Sequence, residues 1–387
     1  MKRLLLTGAS VFDVHSGRVA AADVTVEGDR ITGVGPGLDG DEAVDCAGGL
    51  LLPGFIDCHT HVCLAQTMRE PFRLPRSARP LSAVPVLRTL LGLGITTVRD
   101  AWGADAGVRI AVERGWIEGP DIFLSIRQVC TTGGLGDHWG ARTGPVDFFG
   151  DPSLPDPVFD GPDAARATVR RMVRAGADWI KVTATGSLVA GRGVHDVQLT
   201  DAELTALVDE AARQGRRGVM VHAHGARAAE AAARAGARSV EHGTFLDESA
   251  VAAMAEAGTW LVPTLSCSQS VPAEAPDGAA EAHPRSVRMA VEAGVPVAMG
   301  TDNPVRPHTE ALREIHHLAE AGLGEAGALR AATLDAARLL GVDGDRGEIA
   351  EGKRADLVLL TGTDLRLDAL NTRIRTVWHN GRRTTTA

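Results

Sequence analysis

Apolar and polar residues alternate over short stretches at both ends of the chain. The N-terminal part contains LLLTGASVFDV, ADVTVEGDRITGVG and EAVDCAG, and the C-terminal part contains GEIAEGKRADLVLL and IRTVWHNGRR. Alternation with a period of two, interrupted by glycine-containing turns, is typical of β-hairpins. Neither end has enough strands to bury a sheet face alone. We therefore predict one small β-sandwich domain built from residues 1–52 and 345–387.

The middle of the chain has a different pattern, in which short apolar stretches alternate with helical ones. Several helical stretches end in Ala-Gly or Gln-Gly, a C-cap signal, and TDAE is a capping box. Strands that alternate with helices indicate a parallel sheet, and eight strands are the number found in a (β/α)8 TIM barrel. We therefore predict an α/β fold with such a barrel over residues 53–344. The eight stretches are GFIDCHTH, GITTVRD, DIFLSI, DWIKVTA, GVMVHAH, RSVEHG, TWLVPTL and VPVAMGTD.

Composition narrows the class of protein without changing this fold. The chain has 387 residues, of which 44% are hydrophobic, with a net charge of −9 and five cysteines. The cysteines are scattered, which is typical of a reduced, intracellular protein. There is no basic patch interleaved with aromatics, which argues against a nucleic-acid partner. The three leucines after Lys2 and Arg3 are too short an apolar run for a signal peptide, and no stretch is long enough to span a membrane. We expect no membrane association and a cytoplasmic location.

Three stretches between the periodic segments are long and rich in polar residues, glycine or proline. They are residues 66–82, 131–161 and 266–284. Loops of this length in a compact domain usually cover or line a binding site. Because they follow the first, third and seventh predicted strands, we expect them to determine substrate specificity.

Polar residues collect at the C-terminal ends of the predicted barrel strands. In a (β/α)8 barrel these ends surround the active-site mouth, and residues two apart on a strand share a face. Burying several histidines with a lysine and a carboxylate costs free energy unless they bind something. An HxH pair alone also fits a merely polar strand end, but the complete set predicts a site for zinc, manganese, cobalt or iron. The residues are His59, His61, Lys181, His222, His224, His242 and Asp302.

Two neighbours of this set are predicted to be structural. Cys58 precedes the first histidine, and its side chain therefore alternates away from the ligand face into the core. Asp100 closes the second predicted strand, where a carboxylate bonded to backbone amides is the ordinary arrangement.

Lys181 is the unusual member of the set, because an ammonium group repels a metal ion. It could extend its charged end towards solvent or neutralise Asp302. Alternatively, burial among cations lowers the pKa of a lysine from about 10.4, and the neutral amine can add carbon dioxide. The resulting carbamate behaves as a carboxylate and can bridge two metal ions. The residues alone leave these alternatives open.

Taken together, these motifs make the chain resemble members of the amidohydrolase superfamily. HxH after the first strand, lysine on the fourth, histidine on the fifth and sixth, and aspartate on the eighth follow the pattern of that superfamily. The stretches IKVTATG, VHAHG, SVEHG, VPTL and GTD are similar to one branch of it. That branch contains prolidases, which are metal-dependent Xaa-Pro or Xaa-Arg/Lys dipeptidases, and imidazolonepropionase-like proteins. PGFID and EIAEGKRADLVLL resemble its terminal β-sandwich, so the resemblance covers essentially the whole chain.

The resemblance implies a binuclear centre with two divalent metal ions, zinc first, bridged by a carboxylated Lys181. It also implies that a hydroxide bridging the two ions attacks the scissile carbonyl, while Asp302 moves its proton to the leaving nitrogen. Asp302 and Lys181 are therefore the predicted catalytic residues. The implied ligands of the more buried ion are His59, His61 and Asp302, and those of the more exposed ion are His222 and His242.

Candidate substrate contacts surround this centre, and some depart from the pattern of the family. Relatives often have TGGHG after the third strand, whereas this chain has TTGGLGDHWG, with Leu135 at the histidine position and His138 three residues later. Either His138 replaces that histidine, or the pocket does not bind a free carboxylate. Ser187 belongs to ATGS, where relatives have ATGG. The further candidates are His224, which otherwise supports a ligand, His308 on the loop after the eighth strand, and Arg192, for which a solvated loop position is the alternative.

These observations predict a metal-dependent amidohydrolase that cleaves the C–N amide bond of a dipeptide or an N-acyl amino acid. The alternative is hydrolysis of a cyclic amide (an imidazolone or a lactam) or a lactone, because the same nucleophile attacks any activated carbonyl. Related mononuclear deaminases carry a glutamate soon after the strand-five histidine, but here the first acid is Glu230. A catalytically silent scaffold would lack ligands, and all six positions are filled. The expected partners are a small-molecule amide and, because relatives commonly assemble, further copies of the chain.

Overall fold

The computed structural model describes residues 2–64, 75–147, 151–188, 193–269 and 278–385. The strands are β1 (Arg3–Asp13), β2 (Arg18–Glu27), β3 (Arg30–Gly35), β4 (Glu42–Asp45), β5 (Leu50–Pro53), β6 (Phe55–Thr60), β7 (Ile95–Asp100), β8 (Asp121–Leu124), β9 (Gln128–Val129), β10 (Trp139–Gly140), β11 (Gly144–Pro145), β12 (Ile180–Thr183), β13 (Val219–Gly225), β14 (Ser239–Phe245), β15 (Trp260–Val262), β16 (Leu357–Leu360), β17 (Ile374–His379) and β18 (Arg382–Arg383). The helices are α1 (Ala78–Gly92), α2 (Ala106–Glu113), α3 (Pro162–Arg174), α4 (Asp201–Arg213), α5 (Ala226–Arg234), α6 (Glu248–Ala257), α7 (Leu265–Ser268), α8 (Ala279–Glu292), α9 (Arg313–Leu318), α10 (Gly324–Ala331), α11 (Leu334–Leu340) and α12 (Leu370–Arg373).

Strands from both ends of the chain form one sheet. Its order is β18-β17-β16-β5-β1-β2-β3, with β4 paired to β1. β5 joins the two ends, since it runs parallel to β1 and antiparallel to β16. A separate apolar cluster that includes Leu6 and Trp378 packs on this sheet. Hydrogen bonds connect these strands into a single sheet, so the two-layered sandwich and the limits of the two domains remain predictions.

The middle of the chain contains parallel sheets, which confirms the predicted mixed α/β class. β6, β7 and β8 form one parallel sheet, and β9, β12, β13, β14 and β15 form the other. At one edge the two sheets are joined where the amides of Asp178 and Trp179 donate to the carbonyl oxygen of Leu124 over 2.8 and 3.0 Å. Seven of the eight predicted strands are therefore present as strands.

The eighth predicted strand departs from regular geometry. Residues 295–303 form isolated parallel bridges, in which Val297 pairs with β15 and Asn303 pairs with β6. The segment thus joins the remaining edges of the two parallel sheets. Pro296 cannot donate a ladder hydrogen bond, and the backbone turns at Asp302, whose φ is 54°. Those two features explain why a continuous strand is replaced by bridges.

Helices pack on the parallel strands through one apolar face. α5 contacts β13 and β14, and it buries four alanines at the spacing of one helix face. α4 begins with the predicted capping box, in which Thr200 Oγ1 accepts from the Glu203 amide and Glu203 Oε2 accepts from the Thr200 amide. No helix in the described ranges combines the length and the apolar character needed to cross a membrane.

The predicted long loops contain more secondary structure than the sequence pattern indicated. α1 begins inside the first of them, β10 and β11 form a hairpin in the second, and most of α7 and the start of α8 lie in the third. Residues 65–74, 148–150 and 270–277, which belong to or adjoin these loops, lie outside the described residues.

Candidate metal centre

Histidines meet at the carboxyl ends of the parallel strands. Their spacing by two residues, at the end of β6 and on β13, turns both members of each pair to the same side. Among the described residues, two groups of three side chains each offer ligand atoms that lie within 4.8 Å of one another. The first group is His59, His61 and Asp302, and the second is His222, His224 and His242.

In the first group, one carboxylate oxygen faces two imidazoles. Asp302 Oδ1 lies 2.9 Å from His61 Nε2 and 3.3 Å from His59 Nε2. His61 Nδ1 donates to the carbonyl oxygen of Trp102 over 2.9 Å, which leaves Nε2 to face the aspartate. Burial would raise the pKa of Asp302, but the two histidines hold that pKa well below its usual value. The group therefore presents a carboxylate and two ring nitrogens to a common point.

The second group consists of three buried, neutral imidazoles. His222 Nε2 donates to the Gly186 carbonyl oxygen over 3.0 Å. Burial lowers the pKa of His222 to about 3 and holds the pKa values of His224 and His242 well below the ordinary histidine value. A histidine must be neutral to bind a metal ion, so burial keeps all three in the form that can act as a ligand.

Lys181 lies beside the first group. Its side chain is 2% exposed, and its Nζ is 3.2 Å from His59 Nε2. Burial lowers the pKa of this lysine to about 8, which makes its neutral amine more accessible than that of an exposed lysine. This position is compatible with a bridging carbamate, whereas an extension of the charged end to solvent is excluded by its burial.

A buried ion pair between Arg99 and Glu241 lies beneath the first group and was not predicted from the sequence. Glu241 Oε2 is 2.6 Å from His59 Nδ1, and Arg99 Nη2 lies 3.0 and 3.1 Å from the two carboxylate oxygens of Glu241. Arg99 also stacks on Trp179 at 4.6 Å from the ring centroid. Burial raises the pKa of Glu241, but Arg99 and His59 bring it down to about 2. A carboxylate on the far nitrogen orients a metal-binding histidine and increases its basicity.

Replacing Arg99 with methionine is expected to lower the free energy of unfolding by about 3–5 kcal/mol, because Glu241 would then be a buried charge without its cationic partner. Both side chains are 0% exposed. The measurement is equilibrium denaturation in urea. Arg234→Met, which removes an exposed pair with Glu230 on α5, is the matched control and should change stability by less than about 0.5 kcal/mol. An equal, small effect of both substitutions would contradict the prediction.

Three non-glycine residues at the same strand ends have a positive φ. φ is 74° for His242, 55° for Thr264 and 54° for Asp302, and non-glycine residues in this region cluster at functional sites. Two side chains hold His242 in place. Thr264 Oγ1 lies 2.7 Å from its Nδ1, and His283 Nε2 donates to its carbonyl oxygen over 2.8 Å. Since His283 belongs to α8, this helix helps to fix the geometry of the second group.

Cys267 is a further neighbour that the sequence did not single out. Its Sγ lies 3.2 Å from Oδ2 of Asp302, the carboxylate oxygen that does not face the histidines. Burial raises the pKa of this thiol well above its usual value, so the cysteine is an S–H donor to the aspartate. The two oxygens of Asp302 therefore have distinct surroundings.

The residues predicted to contact substrate lie at different positions relative to the two groups of ligands. His224 belongs to the second group, whereas the others lie outside both groups. His308 is buried, and burial followed by the proximity of His61 lowers its pKa to about 4. Its Nε2 has no hydrogen-bond partner within the described residues. His138 stacks on Trp102 with ring centroids 6.2 Å apart, and the edge of Trp102 meets the His61 ring at 5.9 Å.

The remaining predicted positions are close to the centre or outside the described chain. Ser187 is half-buried and follows Gly186, whose carbonyl oxygen binds His222. Leu135 is half-buried on the loop that carries the β10–β11 hairpin. Arg192 lies outside the described residues. Roles in substrate binding remain predictions for all of them.

The structural roles predicted for Cys58 and Asp100 are confirmed. Cys58 is 0% exposed and belongs to an apolar cluster. Asp100 accepts hydrogen bonds from the backbone amides of Val62 and Ala104 over 2.8 and 3.0 Å. Asp100 thereby shapes the backbone directly after the HxH pair.

The donor set fits a metal centre. In each imidazole of the two groups, one ring nitrogen lies within hydrogen-bonding distance of a protein oxygen outside its group, and in the first group the other nitrogen faces Asp302 Oδ1. That division is typical of histidines that bind metal ions. Neutral imidazoles together with one carboxylate suit zinc, and also manganese, cobalt or iron.

Comparison with known proteins identifies the family. The sequence matches the amidohydrolase family over residues 50–386. The chain belongs to the amidohydrolase family. An ochratoxinase from Aspergillus niger is 30% identical over 340 residues, which cover 80% of this chain and 70% of that protein. An imidazolonepropionase from Syntrophobacter fumaroxidans is 30% identical over 400 residues, covering 91% of this chain and 85% of that protein.

Solved structures agree with this assignment. A crystal structure of a prolidase in complex with N-methylphosphonate-L-proline shares 32% sequence identity and superposes with a TM-score of 0.87, over 98% of this chain and 99% of that chain. The predicted resemblance to the prolidase and imidazolonepropionase-like branch of the amidohydrolases is thus confirmed. The family and these relatives support the predicted reaction class, hydrolysis of a carbon–nitrogen bond.

Proposed function

We propose that this amidohydrolase is a binuclear metal-dependent enzyme that cleaves the amide bond of a dipeptide or an N-acyl amino acid. The observation that carries the proposal is the presence of two adjacent ligand groups with a buried lysine beside them. In this proposal Lys181 would be carboxylated, and its carbamate would serve as a ligand to both ions. The parallel sheets, joined at both edges, form the closed (β/α)8 barrel around the site. Assembly into a homo-oligomer and a cytoplasmic location complete the proposal.

The residues of this chain divide the chemistry between them. When bound, two divalent ions, preferably zinc, supply an activated water and polarise the scissile carbonyl. His59, His61 and Asp302 hold one position, and His222 and His242 hold the other. Asp302 Oδ1 faces the histidines, and Oδ2, on the Cys267 side, accepts a proton from the attacking water and returns it to the leaving nitrogen. The histidines and Lys181 are buried, which excludes bulk water from them and strengthens these electrostatic interactions.

Two features bear on the substrate. The similarity to a prolidase and an ochratoxinase favours a linear amide with an amino-acid leaving group. Leu135 in place of the histidine of many relatives, and the similarity to an imidazolonepropionase, favour a cyclic amide as the second candidate. His138 is on the same loop and reaches the centre through Trp102. We propose that His138 takes over recognition of the amino-acid carboxylate.

Zinc-loaded protein is expected to hydrolyse at least one compound in a panel of Xaa-Pro and Xaa-Arg dipeptides, N-acyl amino acids, lactams and lactones. Removal of metal by a chelator should abolish turnover, because the water is no longer activated, and added zinc should restore it. The measurement is release of the free amine, with each dipeptide compared with its C-terminal amide to detect carboxylate recognition. Cleavage of lactams or lactones alone would establish the second candidate, and inactivity of fully metal-loaded protein towards the whole panel would overturn both.

A further inference from the structure

We propose that three arginines at the amino ends of the parallel strands form a binding site for a phosphate group, either inorganic phosphate or part of a small phosphorylated metabolite. The residues are Arg216, Arg217 and Arg238. Arg217 lies two residues before β13, and Arg238 directly precedes β14. The candidate metal ligands His222 and His242 lie further along these two strands. The proposed site is therefore separate from the metal centre, and it does not depend on the proposed function.

The three arginines line one cavity of about 590 Å³. Leu339 and Leu340, the last two residues of α11, line it as well. The cavity thus lies between the beginnings of two neighbouring parallel strands and the end of a helix. Its volume falls within the range of small-molecule sites, about 300–1,000 Å³. A phosphate ion fills only a small part of this space, so an attached organic group can also be accommodated.

The positive charges of this cavity have no carboxylate partner. In the part of the chain that the structure describes, Arg216, Arg217 and Arg238 donate to backbone carbonyl oxygens and form no salt bridge. Asp178 lines the cavity too, but its carboxylate is bound by Arg109 Nη1 over 2.7 Å. Carbonyl oxygens carry no formal charge. The cavity therefore has a positive potential that attracts anions.

Helix capping accounts for only part of each guanidinium group. Arg217 Nη1 donates to the carbonyl oxygen of Leu340 over 2.6 Å, and Arg238 Nη2 donates to that of Arg338 over 2.8 Å. These bonds satisfy the carboxyl end of α11, where cations are favourable. Among the described residues, Arg217 Nη2 and Arg238 Nη1 have no acceptor. A planar guanidinium can use such remaining N–H groups to bind a phosphate.

The guanidinium groups are held in position before any ligand binds. Arg217 Cζ lies 4.6 Å from the ring centroid of Phe123, and Arg238 Cζ lies 5.9 Å from that of Trp260. Side chains that are already ordered lose little conformational entropy on binding. Burial and then the proximity of Arg99 lower the pKa of Arg238, so its charged form gains from a nearby anion. A phosphate dianion compensates more of this charge than a single carboxylate does.

The test is titration calorimetry of metal-loaded protein with inorganic phosphate, glucose 6-phosphate and AMP at constant ionic strength. The wild type should bind at least one of them saturably. Arg216→Gln and Arg217→Gln should each weaken binding by about 10-fold or more, because each removes a charged donor. Arg217→Lys keeps the charge without the planar fork and should weaken it less. The matched control is Arg213→Gln, an exposed position on the last turn of α4 outside the cavity, which should bind as the wild type does.

The variants also separate this site from phosphate binding at the metal centre, which none of the substitutions would alter. Tightest binding of inorganic phosphate would assign the site to the free ion, and tighter binding of glucose 6-phosphate or AMP would assign it to a phosphorylated metabolite. Absence of binding by all three compounds, or equal affinity of the wild type, Arg216→Gln and Arg217→Gln, would overturn the proposal. Because amide hydrolysis is not part of the readout, an inactive protein that binds phosphate through these arginines would contradict only the proposed function.

Discussion

Replacing Lys181 with alanine is expected to lower kcat by about 10³-fold or more, since a bridging ligand that holds two ions together accounts for several kcal/mol of transition-state stabilisation. The structure places the lysine where such a ligand is needed, with Nζ 3.2 Å from His59 Nε2 and the side chain 2% exposed. The measurement is steady-state hydrolysis of the best panel substrate, with metal content determined on the same sample.

The lysine content of the chain makes the carbamate directly observable. The chain has three lysines, Lys2, Lys181 and Lys353. Protein equilibrated with ¹³C-bicarbonate should show one buried carbamate carbon by NMR, which disappears in Lys181→Ala and persists in Lys353→Ala. Lys353 is the matched control, because its Nζ pairs with Glu348 in the segment that precedes β16. Activity of Lys181→Ala within tenfold of the wild type would rule out a bridging role for this lysine.

The location of the centre could be predicted from the sequence because it depends on two regular geometries. Side chains on a strand alternate with a period of two, and strand ends in a parallel α/β fold lie on one side of the sheet. These rules turn His59 with His61, and His222 with His224, inward without knowledge of any tertiary contact. They do not determine which ring nitrogen is free or how the rings are grouped. The position of His224 beside His242 therefore became visible only in the structure.

The supporting residues could not be predicted, since their partners are far away in sequence. Arg99 directly precedes Asp100 in TTVRD, and Glu241 directly precedes His242 in SVEHG. A charged side chain within an apolar strand was the available signal, but the pairing of β7 with β14 residues across the interior was not evident. Cys267 lies in a stretch predicted to be a loop. Its register on α7 depends on Glu314 of α9, whose carboxylate accepts from the amides of the two residues before the cysteine over 2.7 Å.

For the eighth predicted strand, the apolar pattern predicted a more regular strand than the structure contains. VPVAMGTD has the apolar run of a buried strand. In the structure it forms bridges at only two positions, and its last residues bend so that Asp302 adopts a φ of 54°. This bend directs the carboxylate to His59 and His61 instead of along the strand. The departure from strand geometry is therefore part of how the site is built.

Asp302→Asn is expected to lower kcat by about 10²- to 10⁴-fold, the usual contribution of a general acid–base group, with a much smaller change in metal content. The two carboxylate oxygens have different neighbours, since Oδ1 faces His59 and His61 while Oδ2 lies 3.2 Å from Cys267 Sγ. An asparagine keeps a carbonyl oxygen for the ligand position but has no basic oxygen to accept a proton. Steady-state kinetics and metal analysis on the same preparation provide the measurement.

Comparing metal content with kcat in two Asp302 variants shows whether Asp302 transfers the proton or acts only as a metal ligand. Asp302→Ala removes both functions, so it should lose metal as well as activity, whereas the asparagine variant should lose activity alone. Asp209→Asn makes the same chemical change on the exposed face of α4 and should leave kcat and metal content unchanged. If asparagine and alanine release metal equally and activity follows occupancy in both, Asp302 is a ligand only, and another group must carry the proton to the leaving nitrogen.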